Sequence, residues 1–135
     1  MVKGDYLMGV RMQILNFETS WEKAIATKDR KLITEIFQRS NTPDGQSIRL
    51  EPIWEAMNYK GEVLITVLIH NFTDTALTFH NEKFTYIEKK SIIAEHIFTV
   101  SQLVIKSKTS IPWTFIFPIE SLHQKEIRGN GKLEI

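Results

Sequence analysis

The sequence predicts a mainly β domain, an antiparallel immunoglobulin-like β-sandwich with a short N-terminal helical element. Three observations carry this. In Ser110-Ile111-Pro112-Trp113-Thr114-Phe115-Ile116-Phe117-Pro118, one face takes Ile111, Trp113, Phe115 and Phe117 and the other takes Pro112, Thr114, Ile116 and Pro118, the period of two that defines a strand. The periodicity changes from helical to β after Ser40-Asn41-Thr42-Pro43-Asp44-Gly45, a dense cluster of turn formers. Beyond it, short apolar runs recur at spacings of about 10–15 residues without helical patterns between them, the rhythm of a sandwich.

Residues 1–19 read as an N-terminal arm and 20–135 as one domain. In the arm, apolar residues alternate from Met8 to Ile14, which suits a short strand or an ordered extension. Thr19 followed by Glu22 fits a capping box. Trp21, Ala24, Ile25, Leu32, Ile33, Ile36 and Phe37 then recur at helical spacing, as one helix over about 20–39 or as two, with Thr27 capping the second.

Ile48, Leu50, Pro52, Trp54 and Ala56 form one face of the next strand, and Pro52 marks it as an edge or a bulge. The stretch 62–71 is apolar on both faces and belongs in the middle of a sheet. Asn71-Phe72-Thr73-Asp74 reads as a turn. Leu77 and Phe79, then Phe84 and Tyr86 beyond a break at His80-Asn81-Glu82, continue the pattern. Ala94, His96, Phe98 and Val100 share a face over 92–100, and a linker leads to 110–118. Prolines at both ends of that last strand mark where its ladder stops or runs along an edge, and its three aromatics can each bury roughly 150–250 Å². Asn130-Gly131 carries a hairpin signal.

The 135 residues suffice to bury a core unaided. There are no cysteines, which excludes disulfides and thiolate catalysis and suits a reducing compartment. Seventeen basic residues against sixteen acidic give a net charge of +1, too balanced to imply nucleic acid as the partner. The N-terminus, with Asp5 and no sustained apolar run, does not read as a signal peptide. The longest apolar run, 63–69, falls far short of the ~20 residues that span a bilayer. The expected location is the cytoplasm, with membrane association at most peripheral.

His70, His80, His96 and His123 are the metal or base candidates, but none lies in a spacing that puts two ligands on one face. His70 and His80 fall near strand ends, where a solvent-facing histidine is ordinary. The pairs Glu51/Glu55 and Glu82/Glu88 read as wet strand faces rather than catalytic dyads. No Gly-x-Ser-x-Gly elbow and no phosphate-binding glycine loop occurs, so neither catalytic residues nor cofactors are expected. Asn71-Phe72-Thr73 matches a glycosylation acceptor that has no role in this compartment. Lys23, Lys28, Arg30 and Lys31 form a basic cluster on the helical segment; with Trp21 and Pro52, the last three of these are the candidate partner contacts.

Pro112-Trp113-Thr114-Phe115, running through Ile116 into Phe117-Pro118, resembles the SLAP domain found, often duplicated, in accessory Sec system S-layer assembly proteins of Bacillus-type bacteria. The tryptophan-led stretch 21–37, Gly45-Gln46-Ser47-Ile48 and Leu68-Ile69-His70-Asn71 agree with that family in order, with His70 where the family more often has arginine. The resemblance covers about residues 20–120; this chain has a single copy and an extension of about 19 residues. It implies a non-enzymatic protein-interaction module assisting export or assembly of surface-layer proteins, with secretion machinery or a surface-layer precursor as partner and no site residues beyond the motif positions and Asn71. An exposed sandwich edge, over the Pro52 strand or the segment 75–88, suits pairing with an extended client or with a second copy. The alternative is a cell-wall or carbohydrate-binding sandwich, with Trp21 or Tyr59 stacking on sugar.

Overall fold

A computed structural model describes the backbone of residues 6–7 and 10–135 and the side chains from residue 12 onward. The side chains of the alternation expected at the start of the arm therefore lie mostly outside the described residues. One short antiparallel pair, β1 (Tyr6–Leu7) with β2 (Val10–Arg11), is followed by β3 (Ile14–Leu15), which runs parallel to Thr109 and Ser110.

The helical segment is two helices, α1 (Thr19–Ala24) and α2 (Thr27–Ser40), because Ile25 and Ala26 are both extended. Neither threonine caps. Glu18, one residue earlier than expected, accepts from the Ser20 amide at 2.9 Å and from its hydroxyl, while Glu22 is drawn away to Arg30 at 2.9 Å. Thr27 is the first residue inside α2, and its cap, Ala26, has no side chain to contribute.

Two sheets follow, with the order expected of an immunoglobulin-like sandwich. One holds β3, β8 (Thr109–Phe117), β5 (Val63–Asn71) and β4 (Ile48–Met57), in that order; the other holds β7 (Ser91–Ile105), β6 (Leu77–Glu88) and β9 (Lys132–Glu134). The neighbours β4-β5-β8 and β9-β6-β7 correspond to the immunoglobulin orders A-B-E and F-C-C′. All pairings are antiparallel except β3 with β8.

The apolar periodicity builds two cores. Val63, Ile65, Val67 and Ile69 of the central strand β5 meet Phe79, Phe84, Ile111, Phe115 and Phe117 between the sheets. Leu68, on the other face of β5, packs with Ile33 and Ile36 of α2, ringed by Leu15, Phe17, Trp21, Ile53 and Trp54. No described helix is long and apolar enough to cross a membrane.

Four expectations are corrected. The stretch expected as a linker after Val100 is strand as far as Ile105, since Leu103 and Ile105 are buried there. The break at His80-Asn81-Glu82 is a bulge inside one strand, with Asn81 at φ 51° absorbing the change of phase between Phe79 and Phe84. The segment expected as an edge at 75–88 is the middle strand of its sheet, although β9 covers only Thr85–Ile87 of it. Asn130-Gly131 leads into β9, which pairs with the distant β6, so no hairpin forms. The prolines of β8 sit as expected: the outer side of the strand is open at Pro112, past the two residues bound by β3, and the ladder with β5 ends at Phe117, just before Pro118.

Candidate docking groove

The edge strand β4 carries both features that Pro52 suggested. It is the outer strand of its sheet, and its register with β5 shifts between Pro52 and Trp54, leaving Ile53 as the extra residue. A bulge re-aims every side chain beyond it. Ile48 and Leu50 point into the sandwich, whereas Trp54, expected on their face, is turned to the opposite one beside the helices. The same shift puts Glu51 and Glu55 on opposite faces, so they form no dyad.

Trp54 thereby meets α1. Ser20, Trp21, Ala24, Ile25, Ala26, Asp29 and Trp54 line an open groove of about 480 Å³. Both tryptophans are half-buried, so each presents ring surface to the groove while resting on the Leu68–Ile33–Ile36 core. The extended Ile25-Ala26 link between the helices forms part of its wall. Pro52 is exposed on the neighbouring strand.

The basic cluster divides. Arg30 is committed to the fold, bonded to Glu22 and lying with its guanidinium 4.5 Å from the centre of the Phe17 ring. Lys28 and Lys31 are exposed and make no ion pair among the described residues.

Pro112, Trp113, Thr114, Phe115, Phe117 and Pro118 form no surface site. Phe115 and Phe117 are buried and Trp113 packs partly buried against them. Thr114 and Thr66 share a hydrogen bond of 2.7 Å, and the Pro118 carbonyl accepts from the Ser121 amide and hydroxyl. Asn71 is fully buried. Its amide nitrogen donates to the carbonyls of Thr75, Ile105 and Lys106, and its oxygen accepts from Thr73. It splices the loop after β5 to the end of β7 and is closed to glycosylation in the folded chain.

A family model described as the SLAP domain matches residues 15–131. The chain belongs to the SLAP-domain family. No curated protein and no solved structure matches it. In this SLAP domain, the segment that carried the resemblance is the strand on which the two sheets close.

The four histidines do not converge. His80 and His123 are exposed and His96 is half-buried on β7; no group of three potential metal ligands exists among the described residues. His70, expected in solvent, is fully buried, because β5 is central and both of its faces are covered. Its Nε2 lies 3.0 Å from Ser40 Oγ and its Nδ1 2.6 Å from Ser110 Oγ. The Ser40 hydroxyl donates to the Ile36 carbonyl, so it accepts from Nε2–H; Nδ1 then accepts from Ser110, which in turn accepts from Gln13 at 3.0 Å. Sequence reading missed this network, although its signal was present: His70 is in phase with Leu64 and Leu68. Glu88, expected on a wet face, is buried as well. Its carboxylate accepts from the Tyr86 hydroxyl and from the Arg128 and Gly129 amides.

Proposed function

We propose that this SLAP domain is a non-enzymatic, cytoplasmic protein-interaction module assisting accessory Sec-dependent export or assembly of surface-layer proteins, and that the groove between Trp21 and Trp54 is where it holds a client. The observation that carries this reading is the bulge at Ile53, which sets an apolar groove directly beside a strand edge with which no described strand pairs. An extended client segment can pair its backbone along β4 and lay one large apolar side chain between the two rings. Backbone bonds supply affinity in such augmentation, and the side-chain pocket supplies selection. The exposed Lys28 and Lys31 favour an acidic flank on the client.

The test is a pull-down from host cytoplasm and membrane fractions with the wild-type chain and with Trp54→Ala, the captured proteins being identified by mass spectrometry. Surface-layer precursors or secretion components held by the wild type and lost by the variant support the reading. Equal capture by both removes the groove, and capture of neither class removes the function. A carbohydrate-binding role is favoured only by Tyr59, which is 93 % exposed at the β4–β5 turn; glycan binding abolished by Tyr59→Ala would replace the client reading.

A further inference from the structure

The two sheet margins differ in how they are guarded. Natural edges are blunted by charges, prolines and bulges, and β4 has Arg49, Glu51, Pro52, Glu55 and its bulge. β7 is the outer strand of the other sheet, yet Glu95 is the one charged residue in its 15. Its outer side is covered at one end, where Leu122 bridges Ala94 and the His123 amide donates to the Ile93 carbonyl at 2.7 Å. From 95 to 106, where the turn into β8 begins, no described strand pairs with it. Ile97 and Val104 stand on this open stretch, 59 % and 53 % exposed.

We propose that this margin is the seat of a second copy of the chain, the two β7 strands pairing antiparallel about a two-fold axis at the middle of the open stretch, between Val100 and Ser101. The register follows from the limits of the stretch, because the longest ladder open to two identical strands is centred on its midpoint. It sets Glu95 opposite Lys106 of the second copy, Ile97 opposite Val104, and Thr99 opposite Gln102.

Two features fit that register. The exposed apolar side chains meet each other on both sides of the axis. Glu95 is already held within its own chain, by Lys83 at 2.9 Å and His123 at 3.1 Å, so it faces the exposed Lys106 as part of that cluster and not as a free acid. The faces also match. Residues 101–103 have no partner on β6, because Phe79 pairs with Val100 while the adjacent Thr78 pairs with Val104. That irregularity shifts the phase, so Phe98 and Val100 point inward before it and Leu103 and Ile105 after it. Pairing across the proposed axis joins inward to inward, Phe98 with Leu103, and outward to outward, Ile97 with Val104. A regular foreign strand would fall out of phase at residues 101–103. A strand with the same irregularity in the two-fold relation stays in phase, which is the self-complementarity an isologous interface requires.

The experiment is sedimentation of the full chain together with cysteine cross-linking, which has no background because the chain contains no cysteine. The wild type is expected to sediment as a dimer, and Ile97→Lys as a monomer with an unchanged circular-dichroism spectrum, its dissociation constant raised about tenfold or more. Under mild oxidation an equimolar mixture of Ile97→Cys and Val104→Cys chains is expected to yield a disulfide-linked dimer that Ile97→Cys alone does not. A wild type that stays monomeric up to about 100 µM, or cross-linking of Ile97→Cys to itself in preference to Val104→Cys, overturns the proposal. Client capture through Trp54 is unaffected by either result.

Discussion

The imidazole of His70 bridges Ser40, the last residue of α2, to Ser110 of β8, with 3.0 Å to one hydroxyl and 2.6 Å to the other. A single neutral ring thus ties the helical layer to two strands of the sheet beneath it, stacked on Phe72 at 5.2 Å. Burial, assisted by the Arg49 charge, lowers its pKa to about 4. The unfolded chain takes up a proton below about pH 6.5 that the folded chain refuses. Stability from this group is therefore complete above pH 6.5, falls as the pH drops towards 4, and changes no further below that. The total is about 3 kcal/mol. Urea midpoints of the wild type should fall between pH 6.5 and 4.5, and those of His70→Gln should fall less; parallel curves would remove His70 as the origin.

Phe115 is the aromatic hub of the inter-sheet core, 4.4 Å from Phe84, 5.2 Å from Phe98 and 6.1 Å from Phe79 between ring centres. Phe115→Ala is expected to cost about 3–5 kcal/mol, a large share of the roughly 5–15 kcal/mol available to a domain. Trp113→Ala, at a partly buried position, should cost less in the same denaturation experiment. The reverse order would mean that the core closes around the indole instead.

These residues also mark what was legible in the sequence. Ile111 to Phe117 alternate without interruption, so their faces could be read directly, as could the two-sided burial of β5. Where the chain bulges, strict alternation misleads. Trp54 shares the parity of Leu50 but lies across the sheet from it, since the extra residue at Ile53 leaves only Pro52 as a local signal. Phe79 and Phe84 differ in parity yet share a core, because Asn81 absorbs the difference. The His70 network depends on residues that tertiary pairing alone brings together, Gln13, Ser40 and Ser110 among them. The docking groove was half visible: Trp21 and Pro52 stood out by type, but only the helix–sheet packing sets Trp54 beside Trp21.

The β6–β7 hairpin turns through Lys89 and Lys90, at φ 46° and 69°. Positive φ at both central positions is the type I′ form of a two-residue hairpin, which Asn-Gly adopts with little strain and lysine does not. The double variant Lys89→Asn/Lys90→Gly is expected to stabilise the chain by about 1–2 kcal/mol, read as a higher urea midpoint with an unchanged slope. A fall in the midpoint would show that the lysine side chains hold the turn by contacts of their own.

Glu88 holds the loop that leads into β9. Burial acts to raise its pKa, but the Arg128 amide, the Tyr86 hydroxyl and the Gly129 amide outweigh it, leaving the carboxyl below its ordinary value. It is therefore a charged anchor, and the loop closes around it with Gly129 at φ +88°, a backbone conformation that a side chain strains, beside the end of the Glu55 side chain. Two substitutions separate the charge from the geometry. Glu88→Gln keeps the shape and removes the charge, costing about 1–3 kcal/mol, with faster hydrogen exchange at the Arg128 and Gly129 amides. Gly129→Ala keeps the charge but strains the backbone, so it should release β9 from β6 and expose Leu133, now buried. If exchange at 128–129 is unchanged in Glu88→Gln, the anchor is the glycine turn and the carboxylate only fills the space beneath it.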